Sequence, residues 1–237
     1  MRILLYCVGA LFLIINNAYA QPAVCKHFTE ASTLESLRSG NVLLQNRTRA
    51  TEQMDVHFYD CFWEMTPAVR RIQGNVGVHF TALDNLSLLV LDLSEALTVD
   101  SVKNGNIQLA FTHTRDAVEI SMNRTVMAGE RDSVHIYYRG VPPNNGFGSF
   151  AQRFHSGVPV MWSLSEPYGS MDWWPCKNGL NDKADSIRVS ILHPSQYRAA
   201  SNGMLQFETP VGTDQTLTQW KHRYPIATYL VWSVPTG

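Results

Sequence analysis

The sequence predicts an all-β domain of sandwich or open twisted-sheet type. Three observations carry that expectation. About a dozen short apolar or alternating runs follow one another between Met54 and Val234, turn residues separate them, and no strong helical period interrupts them. Charged residues make up 16% of the chain and aromatic residues 11%, which suits a β-rich domain with some surface meant to be covered.

The first 20 residues read as an export signal rather than as part of the fold. Arg2 provides the positive start, Ile3 to Ile15 the apolar stretch, and Ala18-Tyr19-Ala20 a small-x-small cleavage site before Gln21. The apolar run is short for a membrane span, and no later stretch reaches about eighteen uninterrupted apolar residues. An uncleaved N-terminal anchor is the other reading of this segment. The expectation is an exported product, periplasmic or extracellular, with no membrane span after cleavage.

Residues 21–53 read as a helical lead-in and linker. Phe28, Ala31, Leu34 and Leu37 recur at helical spacing and Gly40 is a stop, after which Leu43 to Thr51 is polar and basic. The β domain occupies 54–237. Asp55 to Met65 alternates imperfectly, as a half-buried strand does, and Thr66-Pro67 makes a turn. Ile72 to Phe80 has a clear period of two. Leu86 to Leu93 reads as a central strand, and Leu97 to Val102 as the next. Asn104-Gly105 is a hairpin turn into Ile107 to Thr112. Ala117 to Met122 and Ser133 to Arg139 follow, then a rigid turn cluster from Gly140 to Gly148. Phe150 to Phe154 pairs with Val158 to Leu164. Ile187 to Leu192, Met204 to Glu208, Leu217 to Lys221 and Tyr229 to Val234 complete the set, with Ser201-Asn202-Gly203 as a turn.

Charge and cysteine content narrow the partners. The formal charge of −1 becomes about −2 once Arg2 leaves, and no basic run or acidic tail points to nucleic acid or an anionic membrane. Of four Cys, Cys7 leaves with the signal, so Cys25, Cys61 and Cys176 remain. One disulfide plus one buried thiol is the simplest outcome, and Cys25 with Cys61 would tie the N-terminal segment to the first strand. No two Cys have metal-ligand spacing. Asn46, Asn85 and Asn123 open N-glycosylation sequons, a pattern common by chance.

One stretch concentrates unusual residues: Met161-Trp162-Ser163-Leu164-Ser165-Glu166-Pro167-Tyr168-Gly169, then Ser170-Met171-Asp172-Trp173-Trp174-Pro175-Cys176-Lys177. Glu166, emerging from an apolar strand beside Pro, Tyr and Gly, is placed like a ligand-reading group on a rigid loop. From residue types alone the simpler reading is a surface Glu in a turn with the Trp pair packed beneath. Asp172, Asp182 and Asp185 are acids nearby, but nothing sets their separation from Glu166. Recognisable catalytic signatures are missing: the sequence has no Gly-x-Ser-x-Gly, no phosphate-cradling loop and no His-Glu-x-x-His. His57 and His79 fall where they share a sheet face, which fits a metal pair or, more simply, hydrogen-bonded strand histidines.

Read as a set, Ser165-Glu166-Pro167-Tyr168-Gly169, Asp172-Trp173-Trp174-Pro175-Cys176-Lys177 and Asn181-Asp182-Lys183-Ala184-Asp185-Ser186 resemble the N-terminal domain of the aminopeptidase N family of zinc metallopeptidases, in its bacterial secreted branch. Ile72-Gln73-Gly74, Leu91-Asp92-Leu93, Tyr137-Tyr138-Arg139-Gly140-Val141-Pro142-Pro143, Ser201-Asn202-Gly203 and Tyr224-Pro225-Ile226-Ala227-Thr228-Tyr229 fit the same template in order. The resemblance implies a large twisted, saddle-shaped β structure that covers a catalytic domain. It also implies that Glu166 pairs with the α-ammonium of a peptide N-terminus, a charge-assisted contact. Other branches place a Gln where this chain has Leu164. The family's Gly-x-Met-Glu-Asn loop and zinc motif occur nowhere in these residues, so zinc is expected only in a catalytic domain, on the same polypeptide or a separate one, with no cofactor in this chain. The expected function is the substrate cap of a secreted aminopeptidase that removes N-terminal residues, inactive alone. The alternative is a stand-alone exported β domain that binds peptides or a partner protein along its sheet edges.

Overall fold

The computed structural model describes residues 52–144 and 149–236. The export signal, the helical lead-in, Asn46 and Cys25 fall outside them. Strands are numbered in chain order. The main sheet has eight, arranged β13 (Met204–Val211), β14 (Gln215–His222), β11 (Ser186–Pro194), β1 (Met54–Glu64), β2 (Ile72–Ala82), β8 (Arg131–Gly140), β4 (Leu97–Asn104) and β5 (Ile107–Gln108). Its neighbours are antiparallel except β1 and β11, which run parallel. A three-stranded sheet orders β3 (Leu86–Asp92), β7 (Ala117–Val126) and β6 (Ala110–Thr114). Two further pairs are β9 (Phe150–His155) with β10 (Val158–Ser163), and β12 (Arg198–Ser201) with β15 (Ser233–Thr236). The all-β expectation holds.

Strand β2 shows how the pattern becomes structure. Ile72, Val76, Val78 and Phe80 are fully buried, whereas Gln73 is exposed and Asn75 and His79 are half-buried. That is the period of two with one face on a core. Tyr59, Cys61 and Trp63 of β1 share this core with Leu89 and Leu91 of β3 and with Val118 and Ile120 of β7. The three-stranded sheet therefore packs its apolar face onto the main sheet. The opposite face of the main sheet is polar: Asp60, His79, His135 and Arg188 lie on it, and Arg188 grips both carboxylate oxygens of Asp60.

Several boundaries differ from the sequence expectation for physical reasons. The first hairpin turn falls on Gly105 and Asn106, since Asn104 already pairs with Ile107. The run expected as one strand from Ile107 to Thr112 breaks at buried Leu109, whose N–H donates to the Val102 carbonyl, and continues in the other sheet. The strand expected over Tyr229 to Val234 is instead a short 3₁₀ turn at Thr228–Leu230 followed by β15. Here the Asn202 side chain donates to the Leu230 carbonyl and accepts from the Trp232 N–H, satisfying backbone groups that a ladder would otherwise take. Cys61 is a fully buried free thiol among the described residues; its side chain points into the core from β1. The pairing expected with Cys25 reaches outside the described residues.

The end of β3 is laced to the tryptophan stretch. The Asp92 N–H donates to the Cys176 carbonyl (2.8 Å), and the Cys176 N–H returns the bond to the Asp92 carbonyl (3.1 Å). The Asp92 carboxyl, buried, accepts from the Asn178 N–H at 2.9 Å. Burial pushes its pKa up to about 7, against the downward pull of that hydrogen bond.

Two measurements test this packing. A Cβ on Gly74 would come within 2.1 Å of the Phe62 carbonyl oxygen, so Gly74→Ala should lower the unfolding free energy by about 1–3 kcal/mol, read from the urea midpoint. For Asp92, the folded state holds the proton more tightly than the unfolded chain. Its contribution is present in full below about pH 3.8 and is lost as pH rises to about 7. Asp92→Asn should flatten that part of the stability profile by at most roughly 4 kcal/mol. Parallel profiles for the two proteins would refute the assignment.

Candidate functional site

The site is built on the segment that follows β10. Trp63, Trp173 and Trp174 have no exposed surface and pack together at tilted and edge-on angles, with Trp63 and Trp173 centroids 4.7 Å apart and Trp173 and Trp174 6.0 Å apart. Tyr59 meets Trp174 edge-on at 5.0 Å, and Phe150 lies 5.9 Å from Trp173. Such aromatic packing gives a wide buried base with specific geometry. The polar handles of that base then hold the loop above it. The Trp173 indole N–H donates to the Ser165 hydroxyl (2.9 Å), the Tyr138 hydroxyl donates to the Trp173 carbonyl (2.9 Å), and the Gly169 N–H donates to the Ser165 carbonyl (2.8 Å). The Asn178 amide donates to the Tyr168 carbonyl at 2.7 Å.

Glu166 sits between these anchors, joined to Pro167 by a cis peptide, with its side chain exposed. It lines a groove of about 720 Å³ whose walls are mostly apolar: Trp162, Leu164, Ile226, Tyr229, Leu230 and Trp232. Among the described residues Glu166 is the only carboxylate in that lining; Asn202, His222, Ser163 and Ser165 supply the other polar side chains. A charged acceptor on an apolar wall is suited to a cationic group on an otherwise apolar ligand. The apolar surface continues onto the β9–β10 hairpin, where Phe154 is 69% exposed and a second groove of about 530 Å³ shares Val160 and Trp162.

The other sequence candidates separate. Asp172 is fully buried and accepts from the Ser149 hydroxyl at 2.5 Å. Asp182 is bound to the Lys177 ammonium at 2.6 Å, which also donates to the Met54 carbonyl. Asp185 is exposed. None of the three lines the groove with Glu166, so no carboxylate pair forms there. His57 and His79 do share a face, with ring centroids 6.4 Å apart, and His135 lies 6.0 Å from His79. Burial and the neighbouring His135 hold the His79 pKa below its usual range. Among the described residues no three His, Cys, Asp or Glu side chains converge to hold a metal ion. Sequence reasoning passed over Asp92 and Asn178 as supports of the Glu166 loop. The signal available was an acid inside the apolar run from Leu86 to Leu93.

Comparison with known proteins agrees with this architecture. Residues 56–230 match the family model of the Peptidase M1 N-terminal domain. A 66-residue stretch is 36% identical to glutamyl aminopeptidase of Sus scrofa, covering 28% of this chain and 7% of that protein. The M1 zinc metallopeptidase of Deinococcus radiodurans superposes with a TM-score of 0.69 at 25% identity, covering 78% of this chain and 42% of that one. The native yeast LTA4 hydrolase superposes with a TM-score of 0.63 at 17% identity, over 78% of this chain and 29% of that one, and shares the fold. The chain thus spans less than half the length of each of these relatives. With the match running from β1 to the turn before β15, and Glu166 and its supports inside it, the chain belongs to the Peptidase M1 N-terminal domain family.

Proposed function

We propose that this chain is the substrate-cap domain of a secreted zinc aminopeptidase, and that Glu166 receives the free α-ammonium of the peptide. The observation that carries the reading is Glu166 itself: one exposed carboxylate on the wall of an apolar groove, held from below by hydrogen-bonded backbone on both sides. Its family setting supports the same assignment. A zinc-bearing catalytic domain, on the same polypeptide or a separate one, closes the groove against the apolar surface around Leu164, Leu230, Trp232 and Phe154. Covering that surface removes water from the Glu166–ammonium contact and strengthens it. Hydrolysis belongs to the catalytic domain; this domain binds and orients the N-terminus.

A second reading follows from β13. All eight of its residues are exposed and it forms one edge of the main sheet, so an extended peptide added there would make the chain a stand-alone binding domain. Peptide-array binding by the purified chain, without any zinc protein, would favour it.

The cap reading makes a quantitative prediction. In the assembled aminopeptidase, Glu166→Gln should raise KM for a peptide with a free N-terminus at least about tenfold, a loss of about 1.4 kcal/mol. It should leave amine binding by the chain alone unchanged, and the chain alone should bind a hydrophobic dye at its uncovered face. An unaltered KM, or a monodisperse chain that binds no dye, would overturn the reading.

A further inference from the structure

The Glu166 loop is held at both ends, and its C-terminal anchor leads to a buried acid. Asn178 donates its side-chain amide to the Tyr168 carbonyl (2.7 Å), two residues beyond Glu166, and its own N–H to the Asp92 carboxyl (2.9 Å). Asn178 is itself buried, as is Asp92. The three residues therefore form a relay from the end of β3 to the loop that presents Glu166. We propose that Asp92 is a positioning residue for Glu166, acting through Asn178 on the backbone at Tyr168. This rests on the reading of Glu166 as the ammonium-binding carboxylate.

The chemistry makes the relay responsive to protons. A neutral carboxyl is a weaker acceptor than a carboxylate, whose bond to a backbone N–H is charge-assisted and shorter. Burial and the carboxylate of Asp116 keep the Asp92 proton in place until about pH 7. Three ionisable side chains among the described residues lie close to this relay. The Cys176 thiol is pushed up by burial and by Asp92, and also feels Cys61 and Asp172. Lys177 is committed to Asp182 and the Met54 carbonyl. His113, on β6, holds the adjacent Leu93 carbonyl through Nε2 at 2.9 Å. Raising the pH through neutrality then has two opposite effects. The Asn178 anchor tightens locally, while the buried charge lowers global stability. A purely structural role would move both in the same direction.

Amide NMR on the full chain tests this without any ligand, so its outcome is independent of what Glu166 binds. The Asn178 amide proton should titrate with a midpoint near pH 7, moving downfield as the bond shortens, and the Gly169 amide beyond Tyr168 should follow with the same midpoint. Asp92→Asn, which keeps an acceptor but removes the proton, should abolish both titrations. Asn178→Ala retains the backbone N–H but cuts the side-chain link, so the amide at 178 should still titrate while that of Gly169 does not. Glu166→Gln should leave every midpoint unchanged. A Gly169 amide that is flat in the parent chain, or that still titrates in Asn178→Ala, overturns the proposal. If the titrations behave as stated but Glu166→Gln leaves KM unaltered in the assembled enzyme, the relay stands and the cap reading falls.

Discussion

The burial of three indoles in one cluster is the constraint on which the rest of this domain depends. Trp63 comes from the central strand β1, while Trp173 and Trp174 come from a segment with almost no regular structure. Large rigid side chains with zero exposure can occupy few arrangements at interior packing density. Once the cluster forms, the backbone of the irregular segment has little freedom left, and the Trp173 indole N–H, the Trp173 carbonyl and the Trp173 and Trp174 backbone N–H groups find partners on Ser165, Tyr138 and Ser170. A loop that would otherwise wander is thus held in place by packing and hydrogen bonds. Glu166 stands on that platform and not on the sheet itself.

Legibility in the sequence followed how local the cause was. The alternation in β2 depends only on which side chains face the core, and it was readable residue by residue. The end of the 3₁₀ segment at Thr228–Leu230 and the chain just after it are held by Asn202, some thirty residues upstream, reaching across to two backbone groups. No pattern within Tyr229 to Val234 reports that. The break at Leu109 is similar: its N–H bond to Val102 decides where one sheet ends and the other begins. Glu166 was picked out from the oddity of its surroundings and from a family resemblance. Asp92 was visible only as a landmark, because the feature that matters, its contact with Asn178, joins residues 86 positions apart.

The two faces of the main sheet divide the work. The inner face carries aliphatic and aromatic side chains and supports the tryptophan platform. The outer face carries a transverse row at one register, Lys221, Arg188, Asp60, Gly77, His135 and Lys103, contributed by six different strands. Gly77 leaves room in the middle of that row, since a Cβ there would meet the His135 ring at 2.8 Å. The Arg188 side chain spans the parallel junction and lies over the Phe58 ring at 5.8 Å. The outer face therefore stitches strands together through charge and ring contacts where the inner face uses packing.

That parallel junction has a kinetic side. Asp60 and Arg188 are register neighbours, yet they lie 128 positions apart in the chain. Between them lie β2 to β10 and the whole tryptophan segment. The central pairing of the main sheet can close only after all of that chain has been made, and loop-closure entropy must be met before the contact repays it. The domain is thus a high-contact-order fold that ripens late. Until β11 arrives, β1 keeps one open edge beside an unfinished core, and a nascent chain of this design exposes both until its later strands are made.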